Sequence, residues 1–418
     1  MLSAEIIAIG SELLTPARSD TNSLWLTEKL NDIGIEVMLK TVVGDDEARL
    51  EEAIRDAVKR SDIVITTGGL GPTEDDITRQ ASAKAIGRGL EYHVELEIEL
   101  RERFLRWGRE MPEINKRQAY VIEGAEILRN PHGSASGMYL EIERARVAIL
   151  PGPPREMRPM FEDFVFDRLK AVAGDLVVCR RVLKISGMGE SAVDEAIAPI
   201  YVTYPAVQTS ILFNKSEVEV HLLAKSKNQT EANGLLAELV EKIVGKLGVA
   251  VFSVQGESME MVVGNLLAAR GKTLSVAESC TGGLVGARLT DVAGSSAYFI
   301  EGVVAYSNDA KMRTLGVSDA TLSEFGAVSE ETAYAMAIGM RDRAKTDYAV
   351  SVTGIAGPDG GSPEKPVGTV YIGYSDSSTT KTLKLVLPGD RELIRWRSSQ
   401  AALDYLRRQL LKADGHHP

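Results

Sequence analysis

The chain has 418 residues, 44% hydrophobic and 26% charged, a composition that fits globular domains with sizeable cores and argues against a disordered or fibrous protein. A formal net charge of −11 argues against a nucleic-acid binder, because neutralising phosphates needs a basic face that this sequence nowhere concentrates. The two cysteines, Cys179 and Cys280, lie far apart and in no metal-ligand spacing, which argues against a disulfide framework or zinc site and fits a reducing compartment.

The apolar run Ile6 to Ile9 is flanked by Glu5 and Glu12 with no basic segment before it, so it predicts a first strand and not a signal peptide. Nowhere do 18 apolar residues run together, so no membrane span is expected and the cytoplasm is the natural location. From Glu5 to about Phe166, strands at Ile6–Gly10, Glu36–Val42, Ile63–Thr67 and Val147–Leu150 alternate with helices near Thr21–Ile33, Asp46–Arg60 and Thr78–Ile86. That alternation predicts a parallel sheet with covering helices.

The third of these strands runs into Gly68-Gly69-Leu70-Gly71-Pro72-Thr73-Glu74-Asp75-Asp76. Its glycines let backbone N–H groups approach a phosphate, and Asp75 and Asp76 are hard oxygen ligands for a divalent cation bridging it. The same aspartates also suit an ordinary helix start. His93 and His132, this segment's only histidines, show no ligand spacing, and Asn130-Pro131-His132-Gly133-Ser134 reads as a turn beside the site or a plain surface loop.

From about Val177 to Val251 the pattern becomes strand (Val182–Ile185), helix (Ser191–Ile200), hairpin (Thr209–Phe213 with Glu217–Ala224) and helix (Gln229–Leu247), a small α+β domain. A third block opens with an amphipathic helix at Met259–Arg270 and a strand at Lys272–Ala277. The strand turns sharply at Glu278-Ser279-Cys280-Thr281-Gly282-Gly283 into a helix at Thr281–Leu289, exposing Ser279 beside N–H groups that can approach an oxyanion. Gly302 to Tyr306 reads as a buried strand, Ser307 as an N-cap, and Asn308–Leu315 as a helix with Lys311 in its first turn, where a desolvated amine loses its proton readily. A strand at Asp347–Thr353 leads into Gly354-Ile355-Ala356-Gly357-Pro358, and Gly389-Asp390-Arg391 opens a last helix with an arginine suited to a phosphate or carboxylate. Taken singly, Ser279 caps a helix and Lys311 is a surface lysine; three strand ends converging on one cleft point instead to acyl transfer on an anionic substrate. Cys280 is the rival nucleophile, read here as a small residue packed behind the turn.

These segments, with Gly294-Ser295-Ser296 and Tyr306-Ser307-Asn308-Asp309-Ala310-Lys311, resemble the C-terminal domain of the CinA (competence/damage-inducible protein) family. The resemblance implies a nicotinamide mononucleotide amidohydrolase, with Ser279 as nucleophile, Lys311 as general base, Tyr306 as a supporting hydroxyl and Thr353 near the reacting amide. It also implies Arg391 on the phosphate, substrate contacts from Glu278, Thr281, Gly282, Gly283 and Gly354, and no metal. Gly10-Ser11-Glu12-Leu13-Leu14, Asp20-Thr21-Asn22, Val43-Gly44-Asp45-Asp46 and Leu150-Pro151-Gly152-Pro153-Pro154 resemble the molybdopterin-binding-like domain that opens CinA proteins. That resemblance implies a metal-dependent ADP-ribose pyrophosphatase. Its ligand contacts would be Gly69, Gly71, Thr73, Asp20 and Asn22, and Asp75, Asp76 and Asp45 would hold Mg or a transition metal. Pro16 departs from the family pattern, which has glycine shortly after Leu-Leu-Thr. The middle segment is similar to the family's KH-like domain.

The expectation is therefore a three-domain α/β protein and homodimer: a molybdopterin-binding-like parallel-sheet domain (1–170), a KH-like α+β spacer or dimerisation domain (171–255) and an amidohydrolase domain (256–418). Two other readings stay open: a molybdopterin-handling enzyme, and a non-catalytic nucleotide-binding protein of competence or DNA damage.

Overall fold

The computed structural model describes residues 2–174 and 177–413. The first apolar run forms the strand Ser3–Ile9, whose residues from Ala4 onward are buried, as befits a strand covered on both faces. It pairs in parallel with Glu36–Val43 on one side and Ile63–Thr67 on the other, and Ile63–Thr67 pairs in parallel with Ala145–Leu150. The sheet then continues through Gly137–Ile142 and Glu126–Leu128, both antiparallel. The expected parallel sheet is thus mixed. Glu143 and Arg144 alone connect Gly137–Ile142 to Ala145–Leu150, with Glu143 at a φ of 50°, and so short a link permits only a hairpin.

Helices Thr21–Asp32, Glu47–Arg60 and Thr78–Ala85 lie close to the expected spans. The sequence reading lacked the helix Val94–Arg106, which buries only Leu96 and Leu100 and so carries a faint apolar stripe. Two apolar clusters flank the sheet, one around Ile7, Val64 and Ile149, the other around Ile6, Ile65 and Phe161.

Two compact units are present, 1–179 with 225–232, and 180–224 with 233–418. In the middle segment, strands Val207–Asn214, Glu217–Ser226, Val177–Ser186 and Val251–Ser253 form a sheet in that order, accompanied by helices Glu190–Tyr201 and Gln229–Leu247.

The carboxyl-terminal sheet has the order Phe299–Val304, Leu274–Glu278, Tyr348–Gly354, Thr369–Ser375, Thr380–Val386. Its first three strands are parallel, and Glu278 lies opposite Val304 on one side and Val352 on the other, so their carboxyl ends share one sheet edge. The strand expected to be buried, Phe299–Val304, is the edge strand, and Ile300 and Val304 on its outer face are exposed. The helix expected from Thr281 starts instead at Leu284, because Gly282 and Gly283 take φ values of 61° and 93°, outside the right-handed helical region.

Candidate active site

Ser279 directly follows the buried strand Leu274–Glu278, and its N–H donates to the Val352 carbonyl at 2.9 Å, tying it to the neighbouring strand end. The turn closes with the Gly282 N–H on the Ser279 carbonyl at 3.1 Å. Below it the carboxylate of Glu278, 2% exposed, accepts from the N–H groups of Gly283 (3.0 Å), Val285 (3.1 Å) and Gly286 (2.8 Å). A buried side chain thus satisfies the donors at the start of this helix, and Glu278, expected to contact substrate, instead braces the turn. The expected oxyanion donors narrow for the same reason. The N–H groups of Gly282 and Gly283 are engaged, whereas those of Cys280 and Thr281 meet no backbone acceptor among the described residues.

Lys311 sits in the first turn of the helix Asn308–Leu315, which Ser307 caps as expected by accepting from the Ala310 N–H at 3.1 Å. Its side chain runs inward and is 1% exposed. The ammonium nitrogen lies 3.0 Å from Ser279 Oγ, 3.0 Å from the Ala305 carbonyl and 3.3 Å from the Tyr306 carbonyl. No carboxylate pairs with it among the described residues, and burial pushes its pKa below the ordinary lysine value. In the neutral amine, two N–H bonds satisfy the carbonyls and the lone pair faces the serine hydroxyl, the arrangement a general base toward Ser279 requires.

The other expected residues divide. Arg391 is exposed at the start of the last helix and donates to the Gly357 carbonyl at 2.8 Å and the Tyr306 hydroxyl at 3.1 Å, so segments following two different strands meet at one guanidinium. Thr353 ends buried, its hydroxyl donating to the Ala327 carbonyl at 2.6 Å, which leaves it able only to accept from a ligand. The Thr281 hydroxyl is buried without a partner. Cys280 packs in the apolar core; a Cβ on Gly354 would lie 3.1 Å from its sulfur, and burial pushes the thiol up to about 12. Gly354 is therefore needed for close packing behind the Ser279 turn.

In the amino-terminal unit, Thr67 ends its strand with its hydroxyl donating to the Pro151 carbonyl and accepting from Asn22, which also donates to Gly152 O at 2.7 Å. The second amide atom of Asn22, Oδ1, is buried and unpaired. Asp20 caps the helix by accepting from the Ser23 N–H at 2.9 Å, and Asp45 exchanges two hydrogen bonds with Ser11. Pro16 lies in an exposed turn ahead of Asp20. Asp76 accepts from the N–H and hydroxyl of Thr73, and a Cβ on Gly71 would meet its carboxylate at 2.3 Å, so this glycine permits a fold-back of the loop. Asp75 and Thr73 are exposed beside it, and Gly69 takes a φ of 62°. Asp45 is bonded to the Gly10–Leu14 segment and not to the Asp75–Asp76 pair, and among the described residues no three His, Cys, Asp or Glu side chains gather to hold a metal unaided.

Residues 256–410 match the CinA C-terminal domain, residues 5–171 the probable molybdopterin binding domain, and residues 180–253 the damage-inducible protein CinA KH domain. The chain is 49% identical over 409 residues to a CinA-like protein of Solibacter usitatus, covering 98% of each. The chain belongs to the CinA family. It is also 45% identical over 412 residues to a CinA-like protein of Kosmotoga olearia, covering 98% of this chain and 99% of that one. The crystal structure of competence damage-inducible protein A from Klebsiella pneumoniae is 37% identical with a TM-score of 0.36, over 36% of this chain and 94% of the other.

Two residues of this CinA chain escaped the sequence reading. Arg395, one helical turn after Arg391, donates to the Thr281 carbonyl at 2.8 Å; its i+4 spacing from Arg391 was the available signal. Arg79 is buried under the glycine loop and donates to Leu70 O at 2.6 Å and Gly71 O at 3.2 Å, and burial lowers its pKa to about 10, with Asp76 offsetting part of this. Nothing in the sequence distinguishes it from a surface arginine. No helix among the described residues is long and apolar enough to cross a membrane.

Proposed function

We propose that the C-terminal domain hydrolyses the carboxamide of nicotinamide mononucleotide, giving nicotinate mononucleotide and ammonia. The observation that carries this is the buried, carboxylate-free Lys311 amine 3.0 Å from Ser279 Oγ. Neutral Lys311 takes the Ser279 proton as Oγ attacks the carboxamide carbon, and the carbonyl oxygen becomes an oxyanion beside the N–H groups of Cys280 and Thr281. The lysine then returns its proton to the leaving nitrogen, the C–N bond breaks and ammonia departs. Water activated by the same amine attacks the acyl-serine, restoring Ser279 and releasing the carboxylate. Arg391, exposed and with N–H donors beyond those given to Gly357 and Tyr306, holds the phosphate. No resident metal takes part in these steps. The test is ammonia release from nicotinamide mononucleotide in EDTA by wild type and by Ser279→Ala and Lys311→Ala, each of which should abolish it.

For the amino-terminal domain we propose hydrolysis of ADP-ribose to AMP and ribose 5-phosphate. Supporting it are the buried cation Arg79 under the glycine loop, whose burial Asp76 offsets only in part, and the orphaned acceptor of buried Asn22, both of which an anionic ligand with hydroxyl donors would satisfy. Two adjacent carboxylates suit a Mg-type cation that completes its shell with substrate phosphates and water, so Asp75 and Asp76 would hold it. The cation would neutralise charge on the diphosphate. The test is AMP formation from ADP-ribose with and without EDTA, assayed in parallel with a pterin substrate.

A further inference from the structure

A cavity of about 700 Å³, within the range of small-molecule sites, lies in the second unit away from the Ser279 turn, where the middle segment meets the C-terminal helix. One wall is apolar. Leu383 and Leu385, from alternate positions of the last strand, and Leu387 just beyond its end line it and are only half-buried, and Phe213 faces it from the middle segment, 48% exposed. The opposite wall is the helix face bearing Arg397, Ala401, Arg408 and Lys412. The acid in that wall, Asp404, is already neutralised by Arg407 and Arg408, with N–O distances of 2.7 and 2.8 Å. The charge facing the cavity is therefore positive, in a chain whose net charge is −11. The Ser216 hydroxyl, also in the lining, is buried without a partner.

We propose that this cavity is a binding site for a small organic anion with an apolar body, its acidic group at Arg397 and Lys412 and its body against the leucine wall. A neutral apolar ligand would leave the cations unanswered; a purely polar anion would leave the leucines wet.

The full-length chain would be titrated with 8-anilinonaphthalene-1-sulfonate, an apolar anion, and with N-phenyl-1-naphthylamine, the same body without the sulfonate, following fluorescence. The site predicts saturable binding of one sulfonate probe per chain, with the uncharged probe about tenfold or more weaker. Ala401→Trp, which fills the cavity, and Arg397→Gln, which removes a cation, should each weaken the sulfonate probe about tenfold while the melting temperature holds. Equal binding to wild type and both variants would place the dye elsewhere and overturn the proposal, as would equal affinity for the two probes. Binding that appears only on dilution of the chain would show the cavity covered by a second copy, and would overturn it too.

Discussion

Replacing Glu278 by glutamine keeps the size of the side chain but removes one acceptor and the charge. The carboxylate takes three backbone N–H bonds at 3.0, 3.1 and 2.8 Å, two on Oε2 and one on Oε1. In its best orientation the glutamine oxygen keeps the Gly283 and Val285 donors and turns its NH₂ toward the Gly286 N–H. That leaves two buried donor groups without an acceptor, the Gly286 N–H and the new NH₂, at about 1–3 kcal/mol each, and strips charge assistance from two bonds, about 1 kcal/mol each. The sum is roughly 4–8 kcal/mol against the C-terminal domain. Because Ser279 is the next residue, the turn bearing it should loosen, and kcat for nicotinamide mononucleotide should fall by about 10²-fold, the scale of a 1 Å misplacement. Calorimetry should show the C-terminal transition lowered, and hydrogen exchange should be faster at Gly283, Val285 and Gly286. If melting and exchange match the wild type within error, the three-bond brace does not hold the turn and the reasoning fails.

Other consequences follow from the same geometry. The kcat/KM of deamidation should rise with pH as Lys311 loses its proton, with a midpoint below the ordinary lysine value of 10.5. Because the folded pKa is the lower one, the unfolded chain binds the extra proton between the two values, so stability also rises with pH across that window; a pH series of melting temperatures on Lys311→Met should lack this rise. Arg391→Ala should raise KM while leaving kcat within a few-fold, since a phosphate anchor away from the amide contributes largely uniform binding; a loss confined to kcat would contradict that role. Asp75→Asn or Asp76→Asn should cut AMP formation from ADP-ribose by at least about tenfold without changing ammonia release, and survival of the activity in EDTA would refute the carboxylate assignment.

The chemistry that could be read in the sequence was carried by local order. Ser279 after a strand, Lys311 in the first turn of a capped helix and Arg391 at a helix start are placed by their own segments, and the parallel register of three strands brings the segments together. What could not be read depended on contacts between distant residues. The side chain of Glu278 turns under its own loop because three helix-start donors lie within reach, a choice that periodicity does not reveal. The hydroxyl proton of Thr353 is committed to a carbonyl 26 positions earlier, at Ala327. Arg79 looks like any helix arginine until the glycine loop folds over it. In the first sheet the alternation of apolar runs and helices was legible, but the antiparallel continuation rests on a two-residue turn containing no glycine, asparagine or aspartate, which gives no hairpin signature.

The central claim is that Ser279, activated by Lys311, forms the acyl-enzyme while Cys280 stays in the core. The most direct test is rapid acid quench of the full-length protein with nicotinamide mononucleotide, followed by peptide mass spectrometry across residues 272–288. The account predicts a base-labile nicotinoyl mononucleotide adduct on Ser279 in wild type and in Cys280→Ala, and none in Ser279→Ala or Lys311→Ala. An adduct on Cys280, or full turnover by Ser279→Ala, would contradict it.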